Sequence, residues 1–428
     1  MKRPLALTSE FFKGRRDAFI KNMKPNSIAI FHSGDVFHKS ADANFSFFQN
    51  PDTFYLTGID QEESVLILYP DAPNPLWKEA LFIRETSEHI KVWEGFKYTL
   101  NEAKTISGIT SIQWNKSVES TFRTMMHYAD HVYINLNEHD RASYDGDYMD
   151  LRKLRAIQRD FPAHKYERSA PIMAKMRMTK TEEEIQTMQL AADITTQTFV
   201  KLLKEMKHFT SEHEVEAYIL YEFHKNKAIQ AYNSIIASGQ NSCILHYNDN
   251  NRPLIKGDIL LMDFGCSYSN YASDLSRTIP VGGRFSPRQK QIYTATLDVF
   301  KAAKAMANTS LSLMEWNTEG KKLMEEKLIE IGLLDKTEVK NQDPNNPLYR
   351  KYFPHGLGHY LGLDVHDIGN QYLKMPENSV ITNEPGIYIW SENLGIRIEN
   401  DLVVKSNGVF DLMENCPIEI EEIEDLMN

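Results

Sequence analysis

The sequence predicts two domains of different class: an α/β domain over residues 1–170, then a larger α+β domain on an antiparallel sheet over residues 171–428. Three observations predict it. The chain has 428 residues, 42% apolar and 25% charged, an ordinary globular composition, and chains beyond roughly 250 to 300 residues divide their core. Short β-type runs mix with helical stretches up to residue 165, whereas the later strands and long helices fall in separate runs without strict βαβ alternation. The change of character comes at residues 168–171 (RSAP), and a helix-start signal follows it.

In the first domain, residues 27–31 (SIAIF), 65–69 (VLILY), 80–83 (ALFI) and 131–136 (HVYINL) are apolar runs bounded by turn residues, as buried strands are. Residues 147–159 read as a helix. In the second domain, Thr181 and Glu184 form a capping box. Beyond it Ile185, Met188, Ala192, Thr195, Phe199, Leu202 and Met206 recur every three or four residues along one helix face. Ser211 with Glu214 starts another helix, and Ser286 before Pro287 a third. Residues 258–268, 271–280, 380–390 and 395–404 are β-rich, and the acidic tail at 416–428 is expected to form a short capping helix through Ile420 and Ile423.

The charge sum is 48 Lys and Arg against 59 Asp and Glu, or −11. Nucleic acid and anionic membrane are therefore disfavoured as partners, because phosphates need a basic face. Cys243, Cys266 and Cys416 are too few and too scattered for a disulfide framework, which points to a reducing, cytoplasmic compartment. The basic N-terminus holds only a four-residue apolar stretch, short of a signal-peptide core, and no run approaches the roughly 18 apolar residues of a membrane span.

Three clusters carry chemistry. Asp263 lies in an otherwise apolar strand, where an uncompensated carboxylate costs several kcal/mol. Asp274 follows a turn-prone Ser269-Asn270, so a hairpin sets the two carboxylates side by side and a cation relieves their repulsion. The bland alternative is an Asp263–Arg ion pair and an Asp274 turn cap. Residues 354–367 (PHGLGHYLGLDVHD) place His355, His359 and His366 among Gly356, Gly358 and Gly362, bringing imidazoles and close backbone approach together. Glu384 precedes Pro385-Gly386, and Glu399 follows Arg397 in a stretch where both polar residues share one face against Ile396 and Ile398. A solvated Arg397–Glu399 pair is the alternative there. Four carboxylates carry −4, which two divalent ions neutralise. An oxygen-rich set without cysteine suits Mn²⁺, and two such ions make a nucleophile from water at neutral pH. The inferred reaction class is metal-assisted hydrolysis.

These residues resemble the pita-bread metallopeptidases, and within them aminopeptidase P. The resemblance rests on Ile244-Leu-His-Tyr247, Met262-Asp-Phe-Gly265, Ser273-Asp-Leu-Ser-Arg-Thr278, residues 355–367, Glu384-Pro-Gly-Ile-Tyr388 and Ile396-Arg-Ile-Glu399 in the second half. Phe54-Tyr-Leu-Thr-Gly58 and Val92-Trp-Glu-Gly95 look like the amino-terminal domain of aminopeptidase P and prolidase. The resemblance implies a curved antiparallel sheet covered by helices, preceded by a smaller creatinase/prolidase-type α/β domain. It also implies five metal ligands: Asp274 and Glu399 bridging two ions, Asp263 on one, His359 and Glu384 on the other. Glu384 would handle the proton of the bridging hydroxide, His246 would meet the scissile amide, and His366 would stabilise the tetrahedral intermediate. His355 and Arg397 would orient substrate, with Tyr388 a possible donor behind them. The implied substrates are peptides with proline second, and the implied assembly is a dimer or tetramer.

Two positions depart from the family pattern. Phe48 stands where Arg is frequent, and Asn400 where Asp is common, the latter removing a charge beside the ligands. Prolidase, restricted to dipeptides, shares fold and ligands, but the fourteen residues between Glu384 and Glu399 leave no long insertion. Methionine aminopeptidase is disfavoured by the long first domain. A non-catalytic peptide-binding protein on this fold is disfavoured by the intact ligand positions.

Overall fold

The computed structural model describes residues 4–142 and 146–428; residues 1–3, where the first predicted domain begins, lie outside the described residues. The chain forms two compact units, Leu5–Met176 and Arg177–Asn428, the second including Pro4.

In the first unit, β1 (Ser27–His32), β2 (Val65–Leu68), β3 (Glu79–Ile83), β4 (Ser111–Trp114), β5 (His131–Ile134) and β6 (Lys165–Arg168) make one mixed sheet in the order β4-β3-β2-β1-β5-β6. β1 pairs antiparallel with β2 and parallel with β5, so it sits in the middle. All six of its residues are buried, which is why it reads as a continuous apolar run and not an alternating one. Ile28 and Ile30 join one core with Ile67, Phe82, Met125 and Val132. Helix α1 (Ser9–Ile20) sets Phe19 edge-on to Phe31, and the buried Arg16 donates to the carbonyls of Leu56 and Ser107. Helix α2 (Met149–Asp160) lies where 147–159 was expected. This is the α/β domain that the sequence predicts.

Helix α3 (Ala170–Met178) begins at the RSAP break. In the second unit the capping box of Thr181 and Glu184 opens α4 (Glu182–Glu205) as read. At α5 (Glu212–Lys225) the expected partner is off by one: Glu214 accepts from the backbone N and Oγ1 of Thr210, at 2.6 and 3.0 Å, while the Ser211 hydroxyl makes no cap bond. Ser211 is the extended N-cap, bridged to Pro253 through its backbone, and its hydroxyl lies 3.3 Å from His213 Nε2 instead. Helix α6 (Pro287–Met306) carries the Ser286–Gln289 box, and α7 (Leu313–Glu330) a Ser312–Glu315 box. The tail forms α8 (Ile420–Met427), with Ile420 and Ile423 buried. No helix among the described residues is long and apolar enough to cross a membrane.

The strands of this unit are β7 (Ile229–Gln230), β8 (Ile235–Ser238), β9 (Ile259–Phe264), β10 (Cys266–Tyr268), β11 (Tyr271–Ala272), β12 (Leu275–Pro280), β13 (Val380–Asn383), β14 (Gly386–Ile389), β15 (Leu394–Arg397), β16 (Asn400–Lys405) and β17 (Gly408–Asp411). Every ladder between them is antiparallel. Helices α4, α5 and α6 pack on these strands, giving the α+β layering expected. Each of the four predicted β stretches is interrupted once. The first breaks at Gly265, where a Cβ would lie 1.8 Å from the Ser273 carbonyl oxygen. The third breaks at Glu384-Pro385, since proline has no N–H for the ladder. Asp274, Glu384 and Glu399 all stand at such breaks, off the regular ladder.

Candidate metal centre

The two aspartates meet, though not as hairpin partners. In the register of β9 and β12, Asp263 faces Ser276, and Asp274 precedes the strand. They converge because Gly265 lets the Ser273 carbonyl close in, and because the Tyr232 hydroxyl touches both: Asp263 Oδ1 at 2.6 Å, and Asp274 Oδ1. One hydroxyl proton cannot serve two carboxylates. Asp263 has the arginine partner that the bland reading supposed, Arg397 Nη2 at 2.5 Å from its Oδ2. That pair leaves Asp274 uncompensated.

Glu399 reaches the same place from the junction of β15 and β16. Its N–H donates to the Ser276 carbonyl at 3.0 Å, and its Oε2 accepts from the Ser276 hydroxyl at 2.7 Å. Arg277 holds the two segments together, its Nη1 donating to the carbonyls of both Ser276 and Glu399. Arg397 and Glu399 are not a solvated pair: they are 4% and 2% exposed. Arg397 spans the site, with Nε on Ser276 Oγ at 2.8 Å and Nη1 on Tyr388 Oη at 3.0 Å.

The glycine-rich loop supplies the imidazoles. A Cβ at Gly358 would lie 2.1 Å from the Thr382 carbonyl oxygen, so only glycine lets the loop seat against β13. His359 is thereby held with its N–H on Thr382 Oγ1 at 3.1 Å. Its Nδ1 lies 2.9 Å from the Tyr360 carbonyl and must donate there, which makes Nε2 the acceptor nitrogen of the neutral ring. That atom stands 3.6 Å from Asp274 Oδ2 and 3.8 Å from Glu384 Oε1. One donor atom from each of Asp274, His359 and Glu399 lies within 4.8 Å of the others. Glu384, anchored by its N–H on the Leu357 carbonyl, has the most exposed carboxylate of the group, with a side chain 21% exposed.

Electrostatics mark the cluster as short of positive charge. Burial, then the charges of Asp263 and Asp401, pushes the Asp274 carboxyl well above the ordinary range. Burial, Asp274, Glu384 and Asp263 do the same to Glu399, against the pull of Arg397. The donor set of carboxylate oxygens and one imidazole nitrogen therefore fits divalent cations of hard or borderline character. The three cysteines, all buried thiols, take no part.

The remaining candidates surround this cluster. Burial, then Arg397, pulls the His355 imidazole down to about 3, so it is neutral. Its Nδ1 donates to the Gly356 carbonyl at 2.7 Å and its Nε2 accepts from the Tyr388 hydroxyl at 2.8 Å. His366 is exposed, its ring 4.3 Å from that of His359. His246 is also exposed and lines an open cavity of about 740 Å³. Asn400 is buried: its amide accepts from Arg277 Nη2 at 2.8 Å and donates to both oxygens of Asp411. An aspartate there would face the Asp411 carboxylate. Phe48, in the first unit, is 45% exposed.

Sequence reasoning missed four partners. Tyr232 has no signal in its surroundings. Asp401 had one: it continues the alternation of Arg397 and Glu399, and its Oδ2 accepts from the Asp274 N–H at 3.1 Å. Arg177 and Lys180 bind the buried Asp367 at the end of the histidine loop, Lys180 at 2.9 Å.

Comparison with known proteins shows the family and the fold. Residues 186–406 match metallopeptidase family M24, and residues 12–133 match the aminopeptidase P N-terminal domain. The chain is 31% identical to a Xaa-Pro aminopeptidase of Haemophilus influenzae, over 99% of this chain and 98% of that one. Among solved structures it is similar to aminopeptidase P from E. coli with the inhibitor Pro-Leu, at 30% identity and a TM-score of 0.86 over 98% of each chain. A zinc-substituted form of the E. coli protein in complex with product matches at 29% identity, with the same TM-score and coverage.

Proposed function

The chain belongs to metallopeptidase family M24, and on that premise we propose that it is a metal-dependent aminopeptidase hydrolysing the N-terminal Xaa-Pro bond of peptides. The observation that carries the reading is the convergence of Asp274, His359 and Glu399 donor atoms within 4.8 Å, with His359 Nδ1 turned to the Tyr360 carbonyl. Asp263, Asp274, His359, Glu384 and Glu399 are the ligand set, and their oxygen-rich chemistry favours two ions of the Mn²⁺ kind. Divalent cations held there supply a water acidic enough to attack a peptide carbonyl at neutral pH.

The protein's own groups do the rest. Glu384, 3.8 Å from His359 Nε2 and from His355 Nδ1 and open to solvent, takes and returns the proton. His366 and His246, exposed at the rim, donate to the developing oxyanion and to the scissile amide. Burial, then Arg397, keeps His355 neutral, and Arg397 and His355 meet on the Tyr388 hydroxyl, which fixes both at the substrate side of the cluster. A free substrate amine fixes cleavage one residue from the N-terminus. The X-Pro bond brings no N–H of its own, so the site must be shaped for a proline ring.

The catalytic machinery is assigned to a domain over 171–428 behind an N-terminal domain over 1–170. The three free thiols support a cytoplasmic setting, and family resemblance supports a homodimer or homotetramer. The test compares an Xaa-Pro-Xaa tripeptide with an Xaa-Pro dipeptide, using chelator-treated protein reconstituted with Mn²⁺ or Zn²⁺. Cleavage of the tripeptide is expected. Cleavage of the dipeptide alone would make the enzyme a dipeptidase, and inertness to both with metal bound would end the peptidase reading.

A further inference from the structure

His246 stands on a loop that closes around a buried acid. Glu212, the first residue of α5, has no exposed surface, and hydrogen-bond donors surround its carboxylate. Its Oε1 accepts from the N–H and hydroxyl of Ser238, at 2.6 and 2.7 Å, and from Asn241 Nδ2 at 3.3 Å. Its Oε2 accepts from the Tyr247 hydroxyl at 2.8 Å and from the Arg252 N–H at 2.9 Å. One carboxylate thus ties together the two arms of the segment that carries His246. The Ser238 and Arg252 N–H groups approach opposite oxygens, so an amide in its place would turn its NH2 on one of them whichever way it lay.

The loop also bears on the metal cluster. Tyr247 packs with Ile235, Cys243, Leu261 and Tyr388 in one apolar cluster, and Leu245 packs against it, which leaves His246 between them exposed to the open cavity. Tyr388 is the residue whose hydroxyl meets both His355 and Arg397. Ser242 seats the loop on β15: its hydroxyl accepts from the Gly395 N–H at 2.8 Å, and a Cβ at Gly395 would lie 2.1 Å from the Ser242 carbonyl oxygen. Asn250 pins the far end, its Oδ1 accepting from the Ile236 N–H at 2.9 Å and its Nδ2 donating to the Ser234 carbonyl at 2.8 Å. The His246 ring itself makes no hydrogen bond among the described residues; only its carbonyl does, to Asn248 Nδ2 at 3.4 Å. Its placement therefore comes from the loop.

Placement of such a group decides rate, because a shift of about 1 Å costs about a hundredfold. Resting on the role given to His246 above, we propose that Glu212 is a positioning residue for the peptidase reaction: by accepting from both arms of the loop it fixes where the His246 imidazole meets the scissile amide.

The experiment is a double-mutant cycle on Mn²⁺-loaded protein with Ala-Pro-Ala, reading kcat, KM and bound metal. Glu212→Gln is expected to lower kcat about 10- to 100-fold, with KM within about twofold of wild type and metal content unchanged. In a His246→Ala background the same substitution is expected to cost less than about twofold more, since residues that act as one unit are not additive. Tyr247→Phe keeps the ring in its cluster and removes one donor, so it gives a smaller fall in kcat, again only while His246 is present. That variant carries the test if Glu212→Gln does not fold. An equal factor lost in both backgrounds, or wild-type kcat in both Glu212→Gln and Tyr247→Phe, overturns the proposal alone. Wild-type kcat in His246→Ala overturns the role of His246 and the proposal with it. Failure of the metal-loaded wild type to cleave the peptide overturns the peptidase reading and all that rests on it.

Discussion

Two aspartates of the second unit are buried to a similar degree and behave in opposite ways. Asp367 carries its own cations, Arg177 and Lys180, and although burial raises its carboxyl, their charges bring it below the ordinary range. Asp274 has the Tyr232 hydroxyl and a crowd of carboxylates, and its carboxyl is pushed well above that range. Burial is common to both, so burial does not mark a metal site. The sign of what compensates the charge does: one cluster is complete within the protein, and the other is short of positive charge, which a proton or a bound cation supplies. The complete cluster also anchors the end of the loop that presents His359 to the incomplete one.

The largest effect is expected at the incomplete cluster. Asp274→Asn exchanges a carboxylate ligand for a neutral amide and should lower turnover on the order of a thousandfold or more, with loss of bound metal. Elemental analysis beside a turnover assay decides it; full activity with metal retained would show that the ligand set is wrong. In chelator-treated protein the same substitution should raise the melting temperature, because it relieves repulsion. Asp367→Ala should do the reverse: the buried Lys180 loses its counter-charge and Arg177 is left with Asp364, at a cost of about 3–5 kcal/mol, read as a lower urea midpoint with or without metal. If both substitutions shift stability the same way in metal-free protein, the contrast fails.

Tyr232→Phe removes the hydroxyl shared by Asp263 and Asp274 and should weaken metal binding about 10- to 100-fold, measured by competition with a chelator. A smaller effect sharpens the contrast through pH. Asp274 and Glu399 have native pKa values above their unfolded ones, so between the two the native state holds protons that the unfolded chain has released. Metal-free protein should therefore gain stability as pH falls through those raised native values toward the unfolded carboxyl value of about 4. Asp367 is depressed, so its contribution is present above the unfolded carboxyl value of about 3.9 and is lost as pH falls through the lower native one. Thermal melts of chelator-treated protein should thus rise and then fall on acidification. A steady fall from pH 8 would contradict the shifts at Asp274 and Glu399.

Much of this was legible before any coordinates. The capping box at Thr181, the strand at residues 27–31 and the tail helix follow from local chemistry, and the structure has them as read. The clusters stood out because they broke local rules, a carboxylate in an apolar strand, glutamates in β-type stretches, histidines among glycines; the choice of five ligands within them came from the family resemblance. Tyr232 broke none, and Ser211 starts its helix as read although its hydroxyl goes to His213 Nε2 and makes no cap bond.

By itself, then, the sequence determined the inventory: which elements form, where they begin, and which side chains are too costly to bury without help. Those are properties of neighbouring residues, and periodicity reports them. Tertiary structure alone decided which costs were already met. Arg177 lies 190 residues from Asp367, and Ser276 lies 123 from Glu399. No local pattern spans such distances. Strand register and the close approaches permitted by Gly265 and Gly358 set them, and these separated the aspartate that brings its own cations from the one that must bind them.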